Sequence, residues 1–373
     1  MPSVVPSVGP TAAFTASPPA PIYASWAPLA FPEPTPHVYG GSGVAAAVAF
    51  RGAYVAVGGV NGGCCDGGFS TDTHGVVWRS SDGLAWTLEP RAAVFDLARI
   101  SGLATDGRTL VAVGARMLDS TIEPGNVDPH GAAWTSTDGR TWTRVTGMPW
   151  LSSIVHAEGA FLALTESEVG TGIWRSVDGR SWSQVAGQGA FGPGIVQALA
   201  ATPVGLVAVG WMGVDPDSQA AVSWQSVDGV TWTRAPTQDS LDGASMTSIA
   251  VSGSTIVAVG DRPDAAAAWW STDGLTWSPS GSSILDVTGG SVDRLVSGNR
   301  GLIATGIVEG TASDTYPVWA SADGRTWQEI DARLFGNGPT VSCAVDRGVA
   351  LTVFGEGFDA TVGREVPAAW DVR

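Results

Sequence analysis

The sequence predicts an all-β protein, a seven-bladed β-propeller whose blades are four-stranded antiparallel sheets. Three observations indicate this fold: a hairpin phrase that recurs six times, a second phrase of the VAVG type upstream of each copy, and tryptophans at fixed positions in successive repeats. The hairpin phrase has the form S-x-D-G-x-x-W, and its aspartates are 40 to 56 residues apart. This spacing is typical of propeller blades. The aspartates are Asp82, Asp138, Asp178, Asp228, Asp273 and Asp323.

Each repeat divides into four short strands, labelled A to D. In the first repeat we predict them at residues 44–50, 54–58, 76–80 and 85–88, from alternating apolar residues bounded by Gly and Asp. The VAVG phrase forms strand B. The Asp-Gly pair between strands C and D is a strong hairpin signal.

Tryptophan gives an independent count of the blades. Strand D carries only six tryptophans, because the chain ends just after the seventh strand C. The missing strand is predicted at residues 24–30, where Ser25-Trp26-Ala27-Pro28-Leu29 matches strand D of the third repeat. The N-terminal segment would thus complete the C-terminal blade and remove the sheet edges. Strand C carries Trp78, Trp134, Trp174, Trp224, Trp270, Trp319 and Trp370.

Counting back from the VAVG phrase aligns the seven A strands. One column suits a core, and the next suits a narrow channel in which Arg294 interrupts small residues. The core column reads Ala47, Leu103, Ile154, Leu199, Ile249, Leu295 and Cys343. The channel column reads Ala46, Gly102, Ser153, Ala198, Ser248, Arg294 and Ser342.

The S-x-D-G-x-[ST]-W phrase resembles the Asp-box, or BNR repeat, of sialidase-like propellers, although it lacks the residue usually found between Asp and Gly. The resemblance covers residues 37–373 and implies that the six aspartates are structural, with their side chains bonded to amides of the C–D hairpin. It also implies glycan-related chemistry in some relatives. The arginines and tyrosines of this chain do not form a recognisable sialidase site.

Composition excludes several partners. The net charge is −16 and lysine is absent, so nucleic acid is not an expected partner. Residues 1–22 read as a disordered Pro/Ala/Ser-rich tether that precedes a single propeller over residues 23–373. No apolar run is long enough for a membrane span. We expect a secreted or cell-surface monomer, with a lipid or surface tether at the N-terminus as an alternative.

Ligand sites in propellers gather where the D–A and B–C connections meet around the channel mouth. Two tryptophans outside the repeat positions are predicted there, Trp150 in a D–A loop and Trp211 in a B–C loop, with Asp293 and Arg294 at the channel. We interpret these four residues as a candidate site for a glycan or protein ligand. Loop packing for the tryptophans and a structural ion pair for Arg294 are the alternatives left open.

The B–C loops contain many acidic residues, so a glycoside hydrolase or lyase using two loop carboxylates is the alternative function. No metal site or cofactor is predicted, and calcium bound by loop oxygens is the alternative. Cys343 could form a disulfide with Cys64 or Cys65 in the NGGCCDGG loop, or these cysteines could remain free.

Overall fold

The computed structural model describes most of the chain as strands and short turns. The described residues are 22–34, 42–60, 73–116, 130–165, 171–213, 219–263, 265–281, 285, 289–298, 300–309, 314–331, 334, 340–359 and 364–373. The 28 strands, β1 to β28 in chain order, are Trp26–Pro28, Ser42–Phe50, Ala53–Val60, His74–Ser80, Thr87–Leu88, Ala98–Thr105, Leu110–Arg116, His130–Ser136, Thr143–Met148, Leu151–Ala157, Ala160–Thr165, Gly172–Ser176, Ser183–Ala186, Ile195–Thr202, Gly205–Met212, Ala220–Ser226, Thr233–Arg234, Ser245–Ser252, Thr255–Arg262, Ala265–Ser271, Ser278–Pro279, Gly290–Gly298, Gly301–Val308, Val318–Ser321, Gln328–Ile330, Thr340–Asp346, Leu351–Asp359 and Arg364–Val372. One short helix, α1, spans Gln188–Phe191, and 3-10 turns cover Ala93–Phe95 and Asp239–Leu241.

The strands form seven four-stranded antiparallel sheets, which confirms the predicted propeller. Blades one to six each use four consecutive strands, from β2–β5 through β22–β25. Blade seven has the order β1-β28-β27-β26, so the N-terminal strand supplies its outer edge, as predicted. The first strands of neighbouring blades contact one another around the ring, and β2 contacts both β6 and β26. These inner strands therefore enclose the central channel.

The N-terminal segment is anchored at three points around the closure. Trp26 pairs with Val372 in blade seven. Tyr23 is buried and its hydroxyl donates to the carbonyl oxygen of Gly301 in blade six over 3.1 Å. Phe31 stacks at 5.3 Å from Trp78 of blade one. The segment therefore ties blades six, seven and one together.

The C–D turns are held by the recurrent aspartates. Asp138 accepts hydrogen bonds from the amides of Arg140 and Thr141 at 2.8 and 2.7 Å, and Ser136 Oγ accepts one from Gly139 at 2.8 Å. Because these amides favour the ionised carboxylate, Thr141 first and then Arg140, the pKa of Asp138 falls to about 2. The other five aspartates accept equivalent hydrogen bonds from backbone amides of their turns: Asp82, Asp178, Asp228, Asp273 and Asp323.

Each inner strand contains a β-bulge at the same position, a feature that the sequence comparison did not predict. In blade one the register shifts between Val44 and Ala46, so Ala45 is the extra residue. Two residues before the bulge, the backbone of Gly43 lies close to β3. A Cβ on Gly58 would lie 1.9 Å from the carbonyl oxygen of Gly43. This close approach explains the glycine that ends the VAVG phrase.

The pairing corrects two sequence assignments. In blade five, Trp269 pairs with Ala258 as Trp78 pairs with Ala56, so Trp269 and not Trp270 holds the repeated strand C position. In blade seven, Cys343 pairs with Phe354 as Arg294 pairs with Thr305. Cys343 therefore belongs to the channel column and not to the core column. Both errors are one-residue offsets. Trp269 lies four residues before Asp273, as Trp78 lies four residues before Asp82. Counting the seventh A strand back from Gly355 also places Cys343 in the channel column.

Candidate functional site

A cavity of about 1060 Å³ occupies the mouth of the central channel. All seven blades line it, and the residue at every bulge contributes. These bulged residues, called the bulge ring, are Ala45, Ser101, Ser152, Gln197, Thr247, Asp293 and Ser342. Because a bulge turns an extra side chain toward the channel, the ring's chemistry largely decides what the cavity can bind.

Four members of the bulge ring use their hydroxyl groups within the protein. Thr247 donates to the carbonyl oxygens of Val259 at 3.1 Å and Val292 at 2.6 Å, which links blades five and six. Ser101, Ser152 and Ser342 also donate to a carbonyl oxygen on the paired strand. The remaining polar members, Gln197 and Asp293, both have exposed side chains. These two are therefore placed to meet a ligand.

Large side chains stand on one side of the rim, two residues before the bulge in blades two, three and four. The guanidinium of Arg99 lies 5.7 Å from the ring centroid of Trp150, within the range of a cation–π contact. Ile195 follows in blade four and is 40% exposed. Arg99, Trp150 and Ile195 all line the cavity, and together they form a wall of one guanidinium group, one aromatic ring and one aliphatic side chain.

Charged side chains stand on the opposite side. Asp293 and Arg294 are consecutive exposed residues of β22 in blade six. In a ring of seven, blade six lies across the channel from the boundary between blades two and three, where Arg99 and Trp150 stand. Ser291 Oγ donates to Asp293 Oδ1 at 3.0 Å and orients that carboxylate. A ligand in the cavity would therefore lie between an aromatic wall and an acid–base pair.

A second carboxyl group, that of Asp261, interacts electrostatically with Asp293. Asp261 of blade five is half-buried and accepts a hydrogen bond from Ser245 Oγ at 2.5 Å. Burial raises the pKa of Asp261, the Ser245 bond opposes the rise, and the negative charge of Asp293 adds to it. Asp261 therefore holds its proton more readily than an ordinary aspartate.

The charges that line the cavity balance. Arg99 and Arg294 contribute two positive charges, and Asp293 and Glu356 contribute two negative charges, among the lining residues that the structure describes. Glu356 lies over blade one, where a Cβ on Gly43 would be 2.3 Å from its Oε1 atom. The cavity is thus locally neutral in a chain of net charge −16.

The structure brings together three of the four predicted ligand-binding residues. Trp150, Asp293 and Arg294 line the cavity, whereas Trp211 is not among the lining residues. Trp211 also lies within β15, paired with Ile195, and not in a B–C loop as predicted. Its side chain is half-buried.

The predicted disulfide partners Cys64 and Cys65 lie outside the described residues, as do residues 61–72 and 117–129 of the B–C loops in blades one and two. Pairing of either cysteine with Cys343 therefore stays a prediction.

The sequence comparison missed Gln197 and Ile195 as site residues and did not single out Arg99 or Glu356. One signal was present in the sequence. The residues that directly precede the predicted channel column, such as Gln197 before Ala198 and Asp293 before Arg294, belong to the bulge ring. The register shift that turns this column toward the channel arises from strand pairing, and counting along the chain does not show it.

No group of three or more His, Cys, Asp or Glu side chains within the described ranges is arranged to hold a metal ion. None of the described helices has the length and apolar character needed to span a membrane. Neither finding identifies a ligand.

Comparisons with known proteins give the class of the chain. No protein-family model matches it, and no curated protein sequence matches it. Among solved structures, YCF48 bound to a D1 peptide aligns over 96% of this chain and 100% of its own, with a TM-score of 0.59 and 15% identity. The WD40 propeller domain of Doa1 aligns over 93% of this chain and 97% of its own, with a TM-score of 0.52 and 11% identity.

A sialidase from Trypanosoma rangeli aligns over 90% of this chain and 55% of its own, with 12% identity and a TM-score of 0.43, which supports no argument. At these identities the similarities with higher scores show the fold alone. The chain is a seven-bladed β-propeller.

Proposed function

We propose that this protein is an exported, non-catalytic propeller that binds a glycan in the mouth of its central channel. The observation that carries the proposal is the cavity of about 1060 Å³, in which Trp150 faces Asp293 and Arg294 across the channel. This volume lies at the upper end of small-ligand sites and suits an oligosaccharide.

The lining chemistry favours a sugar over a flat protein surface. A tryptophan offers a large apolar face beside a polar tip, which suits packing against a sugar ring. Asp293, Arg294 and Gln197 supply carboxylate, guanidinium and amide groups that donate to or accept from hydroxyls in fixed directions. Protein interfaces, in contrast, centre on fully desolvated apolar anchors. Here Ile195 is the only strongly exposed large aliphatic residue among the described cavity-lining residues.

A protein segment is the other ligand class that a propeller mouth could take. YCF48, which shares the fold, was solved with a bound D1 peptide. This precedent makes an extended peptide the natural second arm of any binding experiment.

One observation favours a second function, a glycoside hydrolase. Asp261 has a raised pKa and lies near the negatively charged Asp293. A carboxylic acid beside a carboxylate is the pairing that glycosidases use. Asp261 is not among the cavity-lining residues, so we rank catalysis below binding.

The test is titration calorimetry of the purified chain against neutral and acidic oligosaccharides, with released sugar measured in parallel. We expect binding without product release, weakened at least tenfold by Trp150→Ala and by Arg294→Ala. Trp211→Ala serves as the matched control, because Trp211 is half-buried in the adjoining blade and does not line the cavity.

Product release abolished by Asp293→Asn would replace the proposal with the hydrolase. Absence of binding to every sugar would also overturn the proposal. Binding of an extended peptide, measured by the same calorimetry, would then establish a protein partner.

A further inference from the structure

Blade three departs from the other six blades at the rim. Its inner strand, β10, begins at Leu151, one residue before the bulge, whereas the other inner strands begin two or three residues before theirs. Thr165 stands where the other six blades have the glycine that ends the VAVG phrase. The first residue outside the strand is Trp150. A repeat protein that breaks its own pattern at one position does so most often where function requires it.

Two hydrogen-bond donors at the rim of blade three have no acceptor. Within the described residues, nothing accepts a hydrogen bond from Trp150 Nε1 or Ser153 Oγ, and both atoms are buried. Trp150 and Ser153 line the cavity. A buried donor without a partner destabilises a protein by about 1–3 kcal/mol.

The equivalent serine in blade five shows what a satisfied residue looks like. Ser248 occupies the same ring position as Ser153, one residue after the bulge. Its Oγ accepts a hydrogen bond from the amide of Leu295 in blade six at 3.2 Å. The two serines therefore share residue type and position and differ in whether the protein itself provides a partner.

Two threonines complete the wall. Thr165 Oγ1 donates to the carbonyl oxygen of Gly172 at 3.1 Å, and Thr171 Oγ1 accepts from the amide of Val196 at 3.1 Å. Both line the cavity. The wall formed by Trp150, Ser153, Thr165 and Thr171 is called the blade-three wall. Its own four residues carry no charge, and the Arg99 guanidinium adjoins it at Trp150. The wall is rich in hydroxyl groups and has two donors without a partner.

We propose that the blade-three wall is the subsite for a neutral sugar, with Trp150 Nε1–H and Ser153 Oγ–H donating to hydroxyl or ring oxygens of that sugar. The inference rests on the proposed glycan-binding function and names its ligand class. An uncharged sugar fits because the charges around the cavity already balance, so an acidic or amino sugar would leave a net charge there. The sugar would supply the acceptors that the protein lacks.

This arrangement has a signature that a structural serine would not give. Ser153→Ala removes an unsatisfied donor, so the free energy of unfolding without ligand should stay constant or rise. The same change should weaken sugar binding roughly three- to tenfold, which is the loss of one hydrogen bond. Ser248 also lines the cavity but already has a hydrogen-bond partner, so Ser248→Ala should lower stability and weaken sugar binding less than Ser153→Ala does.

The experiment measures urea unfolding and calorimetric binding for the full chain, Ser153→Ala, Ser248→Ala and Trp150→Phe. The neutral probes are cellotetraose, laminaritetraose and maltotetraose, and the acidic probe is tetragalacturonate. Trp150→Phe keeps an aromatic ring and removes the N–H, so we expect it to weaken neutral-sugar binding to a similar degree. Tetragalacturonate should bind at least tenfold more weakly than the preferred neutral probe.

The outcomes separate this inference from the proposed function. If no sugar binds, the proposed function fails. If a neutral sugar binds and Ser153→Ala and Trp150→Phe bind it as tightly as the unaltered chain, the function stands and the blade-three subsite is wrong. Tighter binding of tetragalacturonate would also overturn the assignment to neutral sugars.

Discussion

Two adjacent glycines in β3 provide a direct test of the bulge. Gly58 and Gly59 lie in the same strand, and neither has a positive φ. A Cβ on Gly58 would lie 1.9 Å from the carbonyl oxygen of Gly43 and 3.0 Å from the Cα of Val44. A Cβ on Gly59 would have its nearest neighbour, the carbonyl oxygen of His74, at 3.5 Å, which is ordinary van der Waals contact.

The distances set the expected magnitudes. Gly58→Ala requires two hydrogen-bonded strands to separate by about 1 Å, and backbone cannot rotate away as a side chain can. Forced overpacking of this kind costs about 2–3 kcal/mol. Gly59→Ala needs no displacement and restricts the unfolded chain, so its effect should fall between neutral and a gain of about 0.5–1 kcal/mol.

The assay is urea unfolding followed by tryptophan fluorescence, since the chain has 17 tryptophans. The predicted result is a lower unfolding midpoint for Gly58→Ala and an unchanged or higher midpoint for Gly59→Ala. Equal midpoints for the two variants would refute the reasoning that the close approach of Gly43, and not strand glycine in general, requires the VAVG glycine.

Two further predictions concern closure and acid stability. Trp26→Ala should lower the free energy of unfolding by about 3–5 kcal/mol, because the side chain is only 6% exposed in the closing blade. Trp270→Ala is the control, and it should lower the free energy of unfolding by less, because Trp270 is half-buried. Urea unfolding measures both variants. Asp138→Asn should remove part of the acid sensitivity: the pKa of Asp138 is depressed from 3.8 to about 2 in the folded state, so its contribution is present above pH 3.8 and is lost as the pH falls toward 2. Stability curves for the two chains that stay parallel between pH 5 and pH 2 would contradict this.

The blade count and the closure were predictable from the sequence, because both depend on local signals that repeat. An Asp-Gly turn and a tryptophan at fixed distance mark each C–D hairpin, and the match of Trp26 to strand D locates the missing strand. The cavity was only partly predictable. Trp150 and Arg294 stood out because they interrupt a pattern.

The missed features share one physical cause. A β-bulge adds a residue to one strand only, so it changes which side chains face the channel without changing the local composition. Gln197 was therefore missed, although Asp293 in the same column was predicted as a site residue. The choice of Trp270 over Trp269 was a counting error: Trp269 lies four residues before Asp273, as Trp78 lies four residues before Asp82, and it pairs with Ala258.

The end-to-end pairing of the chain has a consequence for how the protein is made. Trp26 finds its strand partner only when Val372, next to the last residue, has been synthesised. Until then, the outer edge of blade seven and the buried sites for Tyr23 and Trp26 cannot form, however early the middle blades fold. Ring closure should therefore be a late step that joins residues far apart in sequence, the kind of contact that slows folding. A propeller in which this pairing has not formed would expose the apolar residues Tyr23 and Trp26 at the seam of blade seven.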